Sequence, residues 1–325
     1  MKAERIARLL VIVLAIGLPA LVALARLAPG STIDIHGVMA DEGGWTPGEL
    51  TAKVGVPIHL RLTSDDVMHG FAIGKRTWPS VEVVPGKWTT TTVVFDRPGK
   101  YTFYCTRWCG PNHWRMRGTI EVTGDETHMY AATTPLFIRR KLDLDAPHPT
   151  DKVPSEKPSA ARSTALNIKP DLAADTYRTQ SPAHVWRTLR ERATSQSLSD
   201  QQVWDLVAAA WRSNTTAKQL AEGRKLYEEN CAACHGETGR GDGVMATSLQ
   251  KSAPSDMPGM LGHGTMSPVD FTNARNMLGA SSTILQGKII RGGMGTGMPY
   301  WGPIFTESQI WSIVNYLWTF QFADQ

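Results

Sequence analysis

CTRWCGPNHWRM, residues 105–116, sets two cysteines, a histidine and a methionine at short, regular intervals. Reduced to side chains that hold metals, it reads Cys105, Cys109, His113 and Met116. Thiolate, imidazole and a weak thioether together suit copper that exchanges electrons, because they stabilise both oxidation states in one geometry. A single-copper site of that kind needs one cysteine, two histidines and one methionine. The second cysteine lets two thiolates bridge two coppers, with one terminal imidazole for each metal. His69, in the upstream run DDVMHGF from Asp65 to Phe71, supplies the second ring. A Cys-x3-Cys pair alone also reads as a disulfide or as half of a zinc site. The ordered set of donors is what favours copper. His36, His59, His128, His148 and His184 lack such a context and read as solvated or packed residues.

Working outward, the flanks of this loop alternate. Thr32-Ile33-Asp34-Ile35, His59-Leu60-Arg61-Leu62 and Thr119-Ile120-Glu121-Val122 each show the two-residue period of a half-buried strand. The β-branched run Thr89–Phe95 lies between turn signals at Pro85-Gly86 and Pro98-Gly99. Residues 31–123 therefore read as a β-sandwich or barrel. They resemble the CuA domain of cytochrome c oxidase subunit 2, an all-β cupredoxin-like Greek-key barrel. The resemblance rests on DVMHGF from Asp66, VEVVPG from Val81, RPGKY from Arg97, the loop quoted above and RGTIEV from Arg117. It implies that Cys105 and Cys109 bridge a binuclear copper centre, with His69 and His113 as terminal ligands. It also implies Met116 as a weak axial ligand and the main-chain carbonyl of Arg107 on the other copper. The His-Gly-Phe form and single anchor resemble the B-type oxidases. Arg107, Arg115 and Arg117 crowd the loop, either as rim charges or as partners for haem propionates or a partner's carboxylates. Trp45, Trp108 and Trp114 read either as stations on an electron path or as core and rim residues.

A second constellation follows. Cys231-Ala-Ala-Cys234-His235 is the attachment signature of a c-type haem. The two thiols add to the haem vinyls and His235 becomes the proximal iron ligand, with a preceding helix over Leu220–Glu229. Met298-Pro299-Tyr300, just before the final helix, resembles the Met-Pro turn of class I cytochromes c and makes Met298 the sixth ligand. Met294 is the runner-up and His263 a weaker alternative. Met245, Met257, Met260, Met266 and Met277 read as loop or packing residues. His/Met ligation leaves the iron no open position, which suits electron transfer.

The rest of the chain frames these two sites. The chain has 325 residues, 42% of them hydrophobic and 20% charged, which suits several folded units. A net charge of +4 without a basic run argues against nucleic acid as a partner. All 4 cysteines fall in the two motifs, so none remains for a structural disulfide. Residues 1–29 read as a transmembrane anchor: Lys2, Arg5 and Arg8 precede the apolar stretch Leu9–Ala25, closed by Arg26. Charge placement puts the N-terminus in the cytoplasm and the remainder on the periplasmic side. The competing reading is a cleaved signal peptide ending at Ala23-Leu24-Ala25. Both readings export the rest.

The copper domain spans 30–124 and a linker 125–178, whose Asp143–Asp175 stretch of Pro, Lys, Asp, Ser and Ala suggests a flexible or extended chain. Helical patterning starts at Ser181-Pro182 and again at Ser199, with Gln202 placed for a capping box. The segment Phe305–Trp318 repeats Gln202, Trp204, Val207 and Trp211 as Gln309, Trp311, Val314 and Trp318. That echo suggests a haem-less, cytochrome-like helical segment at 179–213, packed against an all-α cytochrome c domain at 214–325. Two unrelated amphipathic helices would share the same spacing.

Neither constellation shows an open coordination position or an acid–base pair, so the chain is expected to move electrons and to transform no substrate itself. The expected order is a soluble donor (a cytochrome c or small copper protein), then haem c, then CuA, then a haem in a catalytic membrane subunit. The resemblance implies subunit 2 of a haem–copper terminal oxidase, with oxygen reduced in the other subunit. Subunit 2 of a CuA-type nitric oxide reductase and a stand-alone anchored redox or copper-carrying protein are the competing readings.

Overall fold

The computed structural model describes residues 32–76, 79–124, 134–168, 170, 173–247, 267–293 and 297–323. Strands come first: β1 Thr32–Gly37, β2 Trp45–Thr46, β3 Glu49–Lys53, β4 Ile58–Ser64, β5 His69–Ile73, β6 Val81–Val83, β7 Thr89–Val93, β8 Gly99–Cys105 and β9 Arg117–Thr123. They form two sheets, ordered β2-β1-β4-β7 and β3-β9-β8-β5-β6. The sheets are mixed, since β1 runs parallel to β4 and β3 parallel to β9. Alternate residues point inward. Ile58, Leu60 and Leu62 of β4 thus join Phe103 and Cys105 of β8 and Ile120 and Val122 of β9 in one buried core. Arg61 faces outward and pairs with Asp34.

β5 breaks that alternation, with every residue from His69 to Ile73 buried. Its inner face carries Phe71 and Ile73. Its outer face is covered as well: Thr106 and Ser80 close over Gly70, and residues 303–304 meet the chain just beyond the strand at Gly74. Ala72 pairs with Tyr104 on β8, and Tyr104 packs on the helical core.

The helices are α1 Leu136–Arg139, α2 Ala160–Ser163, α3 Ala174–Thr179, α4 Pro182–Arg190, α5 Asp200–Ser213, α6 Ala217–Asn230, α7 Ala232–His235, α8 Ala274–Met277, α9 Ser282–Arg291 and α10 Glu307–Leu317. Capping boxes start α5, α6 and α10, at Ser199 with Gln202, Thr216 with Gln219 and Thr306 with Gln309. Each satisfies two N-terminal N–H groups that the helix itself leaves bare. α6 and α10 cross in direct backbone contact, where a Cβ on Gly223 would lie 1.9 Å from the Ser312 carbonyl oxygen. Only glycine fits there. α5 shares this core: the Trp211 ring meets Trp318 edge-on at 5.8 Å, and Trp186 of α4 stacks on Trp204 at 5.8 Å.

The stretch read as a flexible or extended linker carries α1, α2 and most of α3 and is fastened to the helical core. Ser159 N–H and the Arg162 guanidinium bond the buried Asp205 carboxylate of α5, and Ala323 N–H donates to Pro158 O at 2.8 Å. Ser155 N–H donates to Gln201 Oε1 at 3.0 Å, and Arg291 pairs with Asp145. Pro, Ser and Asp without apolar period look like a free linker, but here their polar groups are tied to the helical core. Among the described residues no helix is long and apolar enough to cross a membrane. The Leu9–Ala25 stretch, expected to be an anchor, lies outside the described residues, as does the possible cleavage site at Ala23–Ala25.

Candidate metal centres

The first site sits where β8 ends, on the loop to β9. Cys105 N–H donates to Met116 O at 3.0 Å, so the strand ladder pinches the loop closed at its base. Three buried donors from two strands and the loop meet there: one ligand atom each of His69, Cys105 and Cys109 lies within 4.8 Å of the others. Cys105 Sγ stands 3.8 Å from His69 Nδ1 and 3.9 Å from Cys109 Sγ. Cys109 Sγ is 3.6 Å from His113 Nδ1 and 3.9 Å from Met116 Sδ. Cys105 Sγ lies 3.2 Å from the Arg107 carbonyl oxygen. All six residues expected from the sequence thus converge. Soft sulfur, imidazole and a carbonyl, nearly all out of water, are a donor set that fits copper.

The thiols are strongly biased. A hydrogen bond from Cys109 holds the Cys105 thiol down to about 3, against opposing desolvation, with His113 and His69 assisting. The same bond pushes the Cys109 thiol up, and burial adds to it. The shared bond biases Cys105 toward the thiolate, the form that binds a metal.

Asp66 has a part that sequence reasoning missed. Its Oδ1 accepts from His69 Nε2 at 2.8 Å, so the ring presents Nδ1 to the sulfurs. Burial pushes the Asp66 carboxyl up, but the Met39 N–H, the His69 ring and the Val67 N–H outweigh it and hold the group below its usual range. Burial likewise pulls His69 down, and its bonds to Cys105 and Asp66 more than reverse that. The clue lay in the sequence as Asp66-x-x-His69. Trp45 is buried beside the site, edge-on to His69 at 5.8 Å and to Phe71 at 5.5 Å. Trp108 is exposed with its ring 5.7 Å from His113, and Trp114 is half-buried.

The arginines of the loop part company. Arg107 pairs with Glu82, Arg115 is exposed, and Arg117 reaches across to Tyr300 O. The reading of all three as one rim cluster fails for Arg117, which the helical part of the chain half-buries. Of the remaining histidines, His36 pairs with Asp65 and His59 bonds Thr92. His148 lies half-buried and His184 is exposed, while His128 lies outside the described residues.

The second site lies at α7. Cys231 caps the end of α6, and Cys234 and His235 follow within one turn, with both thiols unpaired. His235 Nδ1 lies 3.2 Å from Val269 O, and its ring stacks on Phe271 at 4.5 Å. That bond commits Nδ1 to the backbone and leaves Nε2 as the coordinating atom. Burial pulls the His235 pKa down, which keeps the imidazole neutral, the form a metal needs. These groups fit a covalently held haem. Met298 is half-buried against the same core as Cys231, and Gly293 N–H donates to Met298 O at 3.1 Å. Met294 and His263 lie outside the described residues, as do Met257, Met260 and Met266. Met245 and Met277 are buried packing residues.

Comparison with known families fits both sites. Residues 48–123 match the model of the cytochrome c oxidase subunit II periplasmic domain, and residues 220–321 match that of cytochrome c. The chain joins a subunit II-type copper domain to a cytochrome c domain. Its subunit II-type part is 40% identical over 85 residues to a cytochrome c oxidase subunit 2 of Thermus thermophilus, a match covering 26% of this chain and 62% of the relative. A subunit 2 of Synechocystis is 28% identical over 126 residues, covering 39% of this chain and 35% of that one. The chain thus spans less than two thirds of the length of these relatives. Among solved structures, the periplasmic domain of subunit II from Bradyrhizobium japonicum is 21% identical, with a TM-score of 0.25, covering 30% of this chain and 86% of its own. The subunit II-type domain holds the first site and the cytochrome c domain the second.

Proposed function

We propose that the chain is the electron-entry subunit of a haem–copper terminal oxidase, passing electrons from a soluble donor through haem c to CuA and on to a catalytic membrane subunit that reduces oxygen. Bound copper and haem supply reversible one-electron chemistry. In this reading Cys105, Cys109, His69, His113, Met116 and the Arg107 carbonyl would hold the copper centre, and Cys231, Cys234, His235 and Met298 would hold the haem. The protein's own work is to bury the donors, exclude water and aim the His69 and His235 rings through fixed hydrogen bonds.

One observation carries the reading. The copper loop and the haem-attachment helix belong to domains packed face to face, since Tyr104, next to Cys105, packs on the helical core that Cys231 borders. Two such sites on domains that touch within one chain would make transfer between them intramolecular, with an effective concentration that diffusive docking does not reach. The anchor expected at 1–29 would hold both domains at the periplasmic face of the membrane.

The test is purification of the tagged chain from its native membranes. A many-helix, haem-bearing subunit should come with it, and the complex should consume oxygen with a reduced cytochrome c or small copper protein as donor. Consumption of nitric oxide but not oxygen would make the complex a reductase. A chain that purifies alone, with both centres intact, would be a free-standing redox carrier.

A further inference from the structure

The outer face of β8 and β9 ends in a cross-strand pair, Tyr104 opposite Arg117. Both adjoin the copper loop: Tyr104 precedes Cys105 and Arg117 follows Met116. Facing Arg117 is the segment 300–304, which begins two residues after Met298. Arg117 Nη1 donates to Tyr300 O at 2.9 Å, and its guanidinium carbon lies 5.1 Å from the ring of Tyr300 and 5.1 Å from that of Trp301. At the near end of β5, Lys75 N–H donates to Ile304 O at 2.7 Å. Gly74 leaves room for this approach, since a Cβ there would come within 2.6 Å of Pro303 O.

Arg117 is an expensive choice for such a place. Its Nη2 is buried with no hydrogen-bond partner among the described residues, and burial pulls its pKa down. An apolar side chain would avoid that desolvation. What the guanidinium adds is direction: one main-chain carbonyl and two ring faces are held at once by a single planar group.

We propose that Arg117 is a positioning residue that locks the Met298–Ile304 segment onto the ends of β8 and β9, and so fixes the separation across which an electron passes between the two centres. This rests on the reading of Cys105 and its neighbours as copper donors and of Met298 as a haem ligand. With both groups bound, transfer would move one electron from the haem held by Cys231 and Cys234 to the copper held by Cys105 and Cys109, with no bond formed or broken. The rate then follows the separation and the fraction of molecules in the docked arrangement.

The test uses the full chain with both centres loaded. Hydrogen exchange at the Lys75 amide reports opening, because its acceptor lies across the interface. The Gly74 amide, bonded to Thr102 O inside the barrel, is the control. Arg117→Gln should speed Lys75 exchange by about tenfold, the loss of one charge-assisted contact. It should also slow photoinitiated haem-to-copper transfer, with both absorption spectra and both reduction potentials unchanged. Arg117→Lys, which keeps the charge over the rings, should restore part of the rate. Gly74→Ala should reproduce both effects from a position away from the donors, and it decides alone if Arg117→Gln disturbs either spectrum. Unchanged Lys75 exchange, or faster exchange without slower transfer, overturns the proposal. A wild-type chain that binds no copper or no haem c would instead defeat the functional reading itself, before any variant is made.

Discussion

Asp66 illustrates how much a single carboxylate can settle. It accepts from His69 Nε2, from the Met39 N–H and from the Val67 N–H, and so ties one donor ring to two stretches of backbone. Removing such an orienting group costs metal affinity by about 10–100-fold. Asp66→Asn is therefore expected to weaken copper binding to that extent, measured by competition with a copper chelator, while the haem spectrum stays as it was. Unchanged affinity would mean that His69 is oriented by packing against Trp45 alone. Cys105→Ser makes a sharper cut. It removes the thiol that is held as thiolate, so copper absorption should vanish and the haem c spectrum persist. Loss of both together would refute a layout of two separate sites. At this scale the sequence was most legible. The donors of the loop lie within twelve residues, and a loop closed by its own strand ladder must bring them together. Asp66 escaped notice because a carboxylate has many uses, and only the bond it makes selects one.

At the scale of elements, sequence signals foretold where helices start better than what they touch. The capping boxes at Ser199 and Thr306 are local, completed within four residues, and both form. The shared Trp-Val-Trp faces of α5 and α10 meet through Trp211 and Trp318, and Trp211 also lies 5.8 Å from Phe322. Trp211→Ala should cost about 3–5 kcal/mol, as for a large aromatic in a packed core. Denaturant unfolding followed through the haem band would measure it, and a cost below about 1 kcal/mol would mean that α5 is peripheral to the haem fold. The α6–α10 crossing is less forgiving, because the group a side chain would strike is the Ser312 backbone. Gly223→Val should destabilise the cytochrome c domain by more than the roughly 1–3 kcal/mol of ordinary overpacking. It should leave copper binding intact, a contrast that a thermal melt read at both chromophores would show. The attachments of the 143–175 stretch, such as Ser159 to Asp205 across 46 residues, have no local signature, which is why its composition reads as a flexible or extended linker.

For the whole molecule, the decisive surface is the one between the two domains. Tyr104 lies in it, and burial pushes its phenol up from 10.0 to about 12, with Glu229 adding to the shift and Arg117 opposing it. A raised pKa means that the docked state prefers the protonated phenol. The contribution of Tyr104 to docking is thus fully present below pH 10.0 and lost as the pH rises through about 12. Small-angle scattering should record the domains separating over that window. Tyr104→Phe, which has no proton to lose, should shift the separation to higher pH. An identical alkaline profile in wild type and variant would show that other groups govern the interface.

Donor types, their spacing and the hydrophobic period act over a dozen residues or fewer, so the two donor constellations, the strands β1, β4, β7 and β9 and the helices α4, α5, α6 and α10 were legible in the sequence. Only chain folding decided that the 143–175 stretch is bound down and that Arg117 faces residues 300–304. Each depends on groups brought together by chain closure, in the case of Arg117 and Tyr300 across 183 residues, and no local rule encodes which distant surface a strand's outer face will meet.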